Sequence, residues 1–293
     1  MKLLLIANPV SGRRRALRRR QRLEAILAAR GHEVTTRITR AAGDAARFAA
    51  LRPPDLDRIV VAGGDGTLNE VLNGLGERLG PPIVQLPSGT ANILAHEYGL
   101  PGDPEAVADL VEGGVVRHLD LGVIGERRFL LLASCGFDAM VTRAIRRRRS
   151  GALGYRGYLR PIFETLWRYR EPQLFVRIDA GEELPAALVV VSNTRNYGGL
   201  FCVTDRARGD SGQLDVCLFA RASRRHLVRY AWAGFRGRIA RLDGVLYRTG
   251  RRIAIRSAEP VPVEVDGDDY ADTPVEIRVV PRAVPIVMPP ARG

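Results

Sequence analysis

Near the start of this sequence three short apolar runs, 2–7, 58–62 and 82–86, each break at once into a polar, glycine-bearing turn. The turns read Asn8-Pro9-Val10-Ser11-Gly12, Gly63-Gly64-Asp65-Gly66-Thr67 and Pro87-Ser88-Gly89-Thr90. Helix-like patterns at 13–30, 41–51 and 68–79 and a further strand at 33–38 lie between them. Strands and helices in strict alternation predict a parallel sheet, and the three turns then converge on the edge where such sheets bind ligands.

The middle turn is the most specific. Glycine has no Cβ, so the N–H groups of Gly63, Gly64 and Gly66 can approach an anion that side chains would keep away. A helix starting near Leu68 would aim its positive end at the same point. The same residues also suit a tight strand-to-helix turn in which the glycines serve geometry alone. Lys2 is the only lysine in the chain, so a lysine-based phosphate loop is excluded and any phosphate grip rests on arginine or backbone.

Arginine supplies almost all of the net charge of +13, in clusters at 13–15, 18–20, 146–149, 221–229 and 236–241. Such blocks attract anionic surfaces or form a solvated exterior. No aromatic-interleaved basic repeat or zinc finger accompanies them, so nucleic acid is not the expected partner. A length of 293 residues predicts two domains, and no apolar stretch is long enough to span a bilayer. The apolar run after Lys2 is too short for a secretion signal and reads as a buried strand. Cys135, Cys202 and Cys217 are odd in number and lack ligand spacing, which fits reduced thiols and a cytoplasmic setting.

After about Leu121 the pattern changes to short β-rich runs, at 128–133, 174–178, 187–192, 213–219, 252–256, 261–265 and 275–280. They predict a mostly antiparallel sandwich. Segments 143–170 and 221–242 look helical or irregular, and their aromatics Tyr155, Tyr158, Phe163, Trp167 and Trp232 are expected in the core, a membrane-contacting face being the other reading.

The ordered motifs resemble those of the diacylglycerol kinase catalytic-domain family, including soluble bacterial lipid kinases related to sphingosine and ceramide kinases. The resemblance rests on Asn8 to Gly12, on Gly63 to Glu70, and on Pro87-Ser88-Gly89-Thr90-Ala91-Asn92. It continues through His118-Leu119-Asp120-Leu121-Gly122, Gly136-Phe137-Asp138-Ala139, Asn193 with Tyr197-Gly198-Gly199, and Val265-Asp266-Gly267-Asp268. The Gly-Gly-Asp-Gly-Thr element is shared with NAD kinases, whereas the Asn-Pro-x-Ser-Gly start and the Leu-Asn-Glu continuation favour the lipid kinases.

The resemblance implies an α/β nucleotide-binding domain with a parallel sheet, residues 1–121, and a mostly antiparallel β-sandwich lipid-binding domain, residues 122–282. A terminal strand at about 283–293 is expected to return to the first. It also implies phosphoryl transfer from ATP with Mg2+ to a lipid hydroxyl in the cleft between the domains, diacylglycerol being one of several acceptors the motifs leave open. By the same analogy Asn8, Thr39, Gly64, Asp65, Gly66, Thr67, Leu68, Asn69, Glu70 and Thr90 would contact ATP, and Asp65 would position magnesium. Thr39 is matched only by its spacing from Asp44, and a threonine there also suits a helix cap.

The family's proton acceptor lies in an Asp-Gly-Glu element that reads Asp266-Gly267-Asp268 here. Asp268 is one methylene shorter than glutamate, so Asp266 shares the candidacy, and a hairpin with solvated acids is the plainer reading. Asp120 would organise charge near the site or serve an element's end. Relatives carry an acid where this chain has Ile93, which shifts magnesium or ATP handling toward Asp65, Asp120 or Glu97. Ser211 stands where relatives hold a structural magnesium with a carboxylate. A hydroxyl is a poor ligand for a hard cation, which leaves Asp210 as the candidate.

These readings predict a cytoplasmic enzyme that attaches peripherally and salt-sensitively to an anionic membrane through arginines at 146–149 or 221–229. An edge strand of the β-rich domain leaves a homodimer open. An NAD-kinase-like soluble-acceptor enzyme, or a non-catalytic module binding nucleotide or anionic lipid, are the alternatives.

Overall fold

A computed structural model of the chain describes residues 1–76, 80–148, 156–197 and 201–290. The chain divides into two compact units, Met1–Leu119 with Arg282–Gly293, and Asp120–Pro281.

In the first unit β1 (Lys2–Ala7), α1 (Arg13–Ala29), β2 (Glu33–Ile38), α2 (Asp44–Ala50), β3 (Arg58–Gly63), α3 (Asp65–Leu75), β4 (Ile83–Pro87), α4 (Ile93–Tyr98) and α5 (Pro104–Gly113) follow in turn. The strands form a parallel sheet in the order β2-β1-β3-β4, with Leu5 opposite Val60 and Val60 opposite Val84. Alternate residues serve opposite faces, so Leu3, Leu5, Val60, Val84 and Leu86 pack on Leu23 and Leu27 of α1 and on Val107 and Val111 of α5. Each such side chain taken fully out of water contributes about 1.5–3 kcal/mol. Helices α2 and α3 pack against each other so closely that a Cβ on Gly74 would lie 2.0 Å from the Ala46 carbonyl oxygen.

Helix α3 begins at Asp65, three residues before the expected Leu68. Gly64 is extended and acts as the N-cap, so Gly66 and Thr67 belong to the first helical turn and not to the loop. The end of the expected helix, at 77–79, lies outside the described residues, as do Arg149, Tyr155, Gly198 and Gly199.

β5 (Val115–Ile124) leads from the first unit into the second, which continues with β6 (Arg127–Phe129), β7 (Leu132–Cys135), α6 (Phe137–Arg148), α7 (Arg156–Arg168), β8 (Leu174–Ile178), β9 (Glu183–Ala186), β10 (Leu188–Ser192), β11 (Asn196–Tyr197), β12 (Phe201–Cys202), β13 (Leu214–Phe219) and α8 (Arg224–Phe235). A short 3-10 turn follows at Ile239–Arg241, then β14 (Val245–Gly250), β15 (Arg252–Ser257), β16 (Pro262–Val265), β17 (Asp268–Asp272) and β18 (Val275–Met288). Six antiparallel strands in the order β14-β13-β10-β7-β16-β17 make one layer. β15, flanked by β8 and the start of β18, makes the other.

The core between these layers joins Ala133, Val189, Val191, Val216 and Val263 to Leu174, Val176, Ile253 and Ile277. The opposite face of the six-stranded layer is covered too: Leu188, Val190, Cys217 and Phe219 pack with Leu227, Tyr230 and Ala233 of α8. β10 therefore reads as an apolar run closed by Ser192, and β13 as one interrupted only by the buried Asp215, which accepts from the Tyr247 hydroxyl. β18 is one strand of 14 residues where two runs were expected, and its end pairs parallel to β4 through Ile286 and Ile83.

Two further expectations fail. The run at 128–133 is not one strand, because Leu130, Leu131 and Leu132 turn their N–H groups to the Asp266 carboxylate. The aromatics were expected in the core, yet Phe163, Trp167 and Trp232 are 73%, 78% and 59% exposed. Both faces of their helices carry apolar residues, so helical spacing alone could not tell inside from outside. The side chain of Tyr158, like Tyr155, lies outside the described residues. Cys135 and Cys217 are buried and Cys202 is half-buried, and no disulfide joins them; burial pushes the Cys217 thiol up to about 12.

Candidate active site

The three polar turns of the first unit meet at the ends of β1, β3 and β4. The Asn8 N–H donates to the Ala62 carbonyl at 3.0 Å, and its side-chain amide donates to Thr67 Oγ1 at 3.1 Å. The Ser88 N–H donates to the Gly63 carbonyl at 3.1 Å. Gly64 and Gly89 press backbone to backbone, since a Cβ on Gly64 would sit 2.9 Å from Gly89 Cα. Gly12, at φ +83°, lies so near the last turn that a Cβ would come within 2.3 Å of the Ser88 carbonyl oxygen.

Gly66 is different: a Cβ there would meet nothing within 4 Å. No packing demand explains a glycine in the first turn of α3. The bare backbone leaves open space at a helix start where the Thr67 N–H turns back to the Gly64 carbonyl and the two N–H groups before it come too early for a helical acceptor, which suits a phosphate. The loops thus fit a nucleotide held through backbone donors, Asn8 and Thr67.

The acids of this motif serve neighbouring helices. Asp65 accepts from the Ile93 N–H at 2.9 Å and the Leu94 N–H at 3.4 Å, so it caps α4, and burial raises its carboxyl above the usual range against those two bonds. Glu70 accepts from the N–H groups of Gly43 and Ala45 at 3.1 and 3.2 Å, at the start of α2. Ile93, the position where the resemblance leads to the expectation of an acid, is the first residue of the helix that Asp65 caps. Leu68, Asn69 and Thr39 are buried, the Thr39 N–H donating to the Ala7 carbonyl at 2.9 Å, and Thr90 is exposed. Arg15, Arg18, Arg19 and Arg22 of α1 line a pocket with Gly102, Asp103 and Pro104, and Arg19 donates to the Pro87 carbonyl at 3.2 Å. This basic wall beside the third turn was hidden in the sequence among many arginines.

In the second unit Asp266, at φ +48°, accepts the three successive N–H groups of Leu130, Leu131 and Leu132 at 2.9–3.1 Å. It holds the turn. Asp268 is exposed, and Arg127 donates to its Oδ2 at 2.8 Å. Asp269 and Asp272 both pair with Arg143, at 2.9 and 2.7 Å.

Beneath this turn lies a buried polar group. Glu264 accepts from Ser134 Oγ at 2.9 Å and from the Gly267 N–H at 2.8 Å, and the Tyr197 hydroxyl donates to Asp138. Among the described residues Asp138 Oδ1 has no hydrogen-bond partner. Burial first, and then the Asp138 charge, raises the Glu264 carboxyl well above its ordinary value; burial raises Asp138 as well. Asp138, Tyr197 and the Val265 to Asp268 turn come from three motifs far apart in sequence. Sequence reasoning missed Glu264, whose signal is an acid inside the fully buried run Pro262–Val265, where an unpartnered charge would be costly.

Asp120 is fully buried and accepts from the Gly212 N–H at 2.5 Å, while its own N–H donates to the Gly209 carbonyl at 2.6 Å. It organises the 208–212 loop. Asp210 lies 3.7 Å from Arg208, and Ser211 Oγ donates to the Gln213 carbonyl at 3.0 Å, spending its hydroxyl on the local turn. Among the described residues no three His, Cys, Asp or Glu side chains cluster as a metal site.

Residues 2–124 match the diacylglycerol kinase catalytic domain family. This chain belongs to that family. Residues 132–288 match the YegS C-terminal NAD kinase beta sandwich-like domain. A diacylglycerol kinase of Mycobacterium tuberculosis is 32% identical over 298 residues, covering 98% of this chain and 95% of that protein. One from Bacillus subtilis is 29% identical over 294 residues, covering 97% and 95%. The crystal structure of a diacylglycerol kinase from Bacillus anthracis aligns with a TM-score of 0.76 at 22% identity, over 99% of this chain and 97% of that one. Yeast NADH kinase complexed with NADH aligns at 0.52 and 15%, covering 99% and 84%, a likeness of fold. Family membership makes the chain a lipid kinase, a phosphotransferase, and implies ATP as donor. Among the described residues no helix is long and apolar enough to cross a membrane.

Proposed function

We propose that this chain transfers the γ-phosphoryl group of Mg-ATP to the hydroxyl of diacylglycerol or a closely similar lipid, working peripherally at an anionic membrane surface. The observation that carries the reading is the meeting of three strand-end turns around Gly66, whose open space suits a phosphate better than a side chain. The 32% identity to a diacylglycerol kinase over nearly the whole chain supports the acceptor class.

Mg-ATP supplies the transferable phosphoryl group and the cation that offsets its charge. The α3 start, Asn8 and Thr67 would orient the phosphates, and the Asp65 carboxylate, which also caps α4, would be the acid at that end to hold the magnesium. Asp268 accepts the proton of the lipid hydroxyl as its oxygen attacks phosphorus, a role that needs hydrogen-bond reach more than high basicity. Arg127 orients that carboxylate, and Asp266 keeps the turn in place through its three N–H bonds.

The test is transfer of labelled γ-phosphate to a panel of lipids in mixed micelles, beside Asp268→Asn and Asp65→Asn. Label in diacylglycerol, lost in both variants, supports the reading. Label in NAD with no lipid product selects the soluble-acceptor alternative, and ATP binding without transfer selects the binding module.

A further inference from the structure

Helix α7 exposes Leu159, Phe163 and Trp167, at spacings of four residues, and α8 exposes Val228, Trp232 and Phe235, at spacings of four and three. Each set lies along one helical face. Among the described residues, every phenylalanine and tryptophan that stands strongly exposed belongs to these two sets. The opposite side of α8, Leu227, Tyr230 and Ala233, is spent on the core over the six-stranded layer, so the outer stripe is surplus to folding. The helices are tied together: Arg224 of α8 donates to the Trp167 carbonyl and lies 5.7 Å over its ring. Soluble proteins rarely leave such patches open without use.

Charge names the occupant. Between 221 and 241 the chain carries Arg221, Arg224, Arg225, Arg229, Arg236, Arg238 and Arg241 and not one carboxylate. Arg236 stacks 3.7 Å over the Trp232 ring, holding a cation beside an exposed indole. On α7 the one acid, Glu164, is met by Arg160 at 2.8 Å. Aromatic rings that prefer the headgroup boundary, ringed by unopposed guanidinium groups on apolar stems, match a bilayer bearing anionic headgroups. A protein partner would call for carboxylates of its own to meet these arginines; a membrane offers them everywhere.

We infer that the outer faces of α7 and α8 form the surface by which this chain docks on an anionic bilayer, with Phe163, Trp167, Trp232 and Phe235 entering the interface. The inference rests on the lipid-kinase reading for its purpose, and its test does not depend on turnover.

Trp167 and Trp232 are the only tryptophans in the chain, so tryptophan emission excited beyond the tyrosine band reports this face alone. The full chain is mixed with vesicles of phosphatidylcholine, with or without phosphatidylglycerol, whose acyl chains carry bromine as a contact quencher. The expected result is a blue shift and quenching only with phosphatidylglycerol present, weakened by salt. Each arginine near the surface is worth roughly a fivefold change in binding. The double variant Phe163→Ser, Phe235→Ser weakens vesicle binding by about tenfold or more, while its phosphorylation of a short-chain diacylglycerol dispersed as monomers stays that of the unaltered protein. Tryptophans that remain unquenched overturn the inference, whether the protein pellets through another surface or stays in solution. So does a dimer in sedimentation that shields both tryptophans from vesicles. Quenching in a protein that phosphorylates no lipid upholds the docking face and overturns the kinase reading.

Discussion

Glu264 reaches up from a buried strand to the turn that carries Asp268, its Oε2 accepting the Gly267 N–H at 2.8 Å. The exposed candidate base is thus set in place by a side chain that is only 3% exposed. Glu264→Leu strands the Gly267 N–H and the Ser134 hydroxyl, and is expected to cost about 1–3 kcal/mol of stability and to lower kcat in the folded fraction. Glu264→Gln keeps an acceptor for Gly267 and retains most of both. Denaturant unfolding beside kcat on a micellar lipid checks this, and equal kcat in the two variants would remove Glu264 from any positioning role.

The same group sets a pH dependence. Its carboxyl is raised above 4.5 in the folded chain, so between that value and its folded one the native state holds a proton that the unfolded state has released. Stability contributed there is fully present below pH 4.5 and falls as pH rises, by up to about 1.4 kcal/mol per unit. The stability of the wild type relative to Glu264→Gln should therefore decline across this window. A flat difference from pH 4.5 to 8 would contradict the raised carboxyl.

Gly64 and Gly66 make opposite predictions two residues apart. Gly64→Ala drives a methyl against the Gly89 backbone and is expected to cost about 1–3 kcal/mol. Gly66→Ala meets no protein atom and places a better helix former in α3, so thermal stability holds or rises by up to about 1 kcal/mol. Its ATP affinity nevertheless falls by about tenfold as the methyl takes the phosphate's place. Calorimetric titration with ATP decides the matter, and unchanged affinity in Gly66→Ala would refute the cradle.

Arg127→Ala breaks a pair whose side chains are 27% and 55% exposed, and solvent screening holds its stability cost within about 0.5 kcal/mol. Catalysis is the sensitive readout: kcat falls as Asp268 loses its orientation, while ATP affinity stays put. A variant with full kcat would show that Asp268 needs no such partner.

Much of this arrangement was legible in the chain. The runs at 2–7 and 174–178 are strands with those bounds, and the alternation before residue 90 is the parallel sheet itself. Local pattern erred where distant groups intervene. The start of α3 was set late because Gly66 looks like a turn residue, although Gly64 alone makes the cap. The break between β6 and β7 depends on Asp266, more than 130 residues away. Asp65 and Glu70 read as ligands by motif; that they also cap helices 28 and 25–27 residues off lay beyond the reach of any local capping pattern. Periodicity placed the α7 and α8 aromatics on a face without saying which side that face would meet.

Asp65 and Glu70 stand five residues apart on α3, about a turn and a half, and each grips the start of a different helix, α4 and α2. Helix α3 is therefore a crossbar. A push on its first turn is delivered through rigid side chains to two loops at once, those that precede α2 and α4. A guest molecule seated there would tighten both together, so that amide protection near Gly43 and near Ile93 should rise in step from a single occupancy.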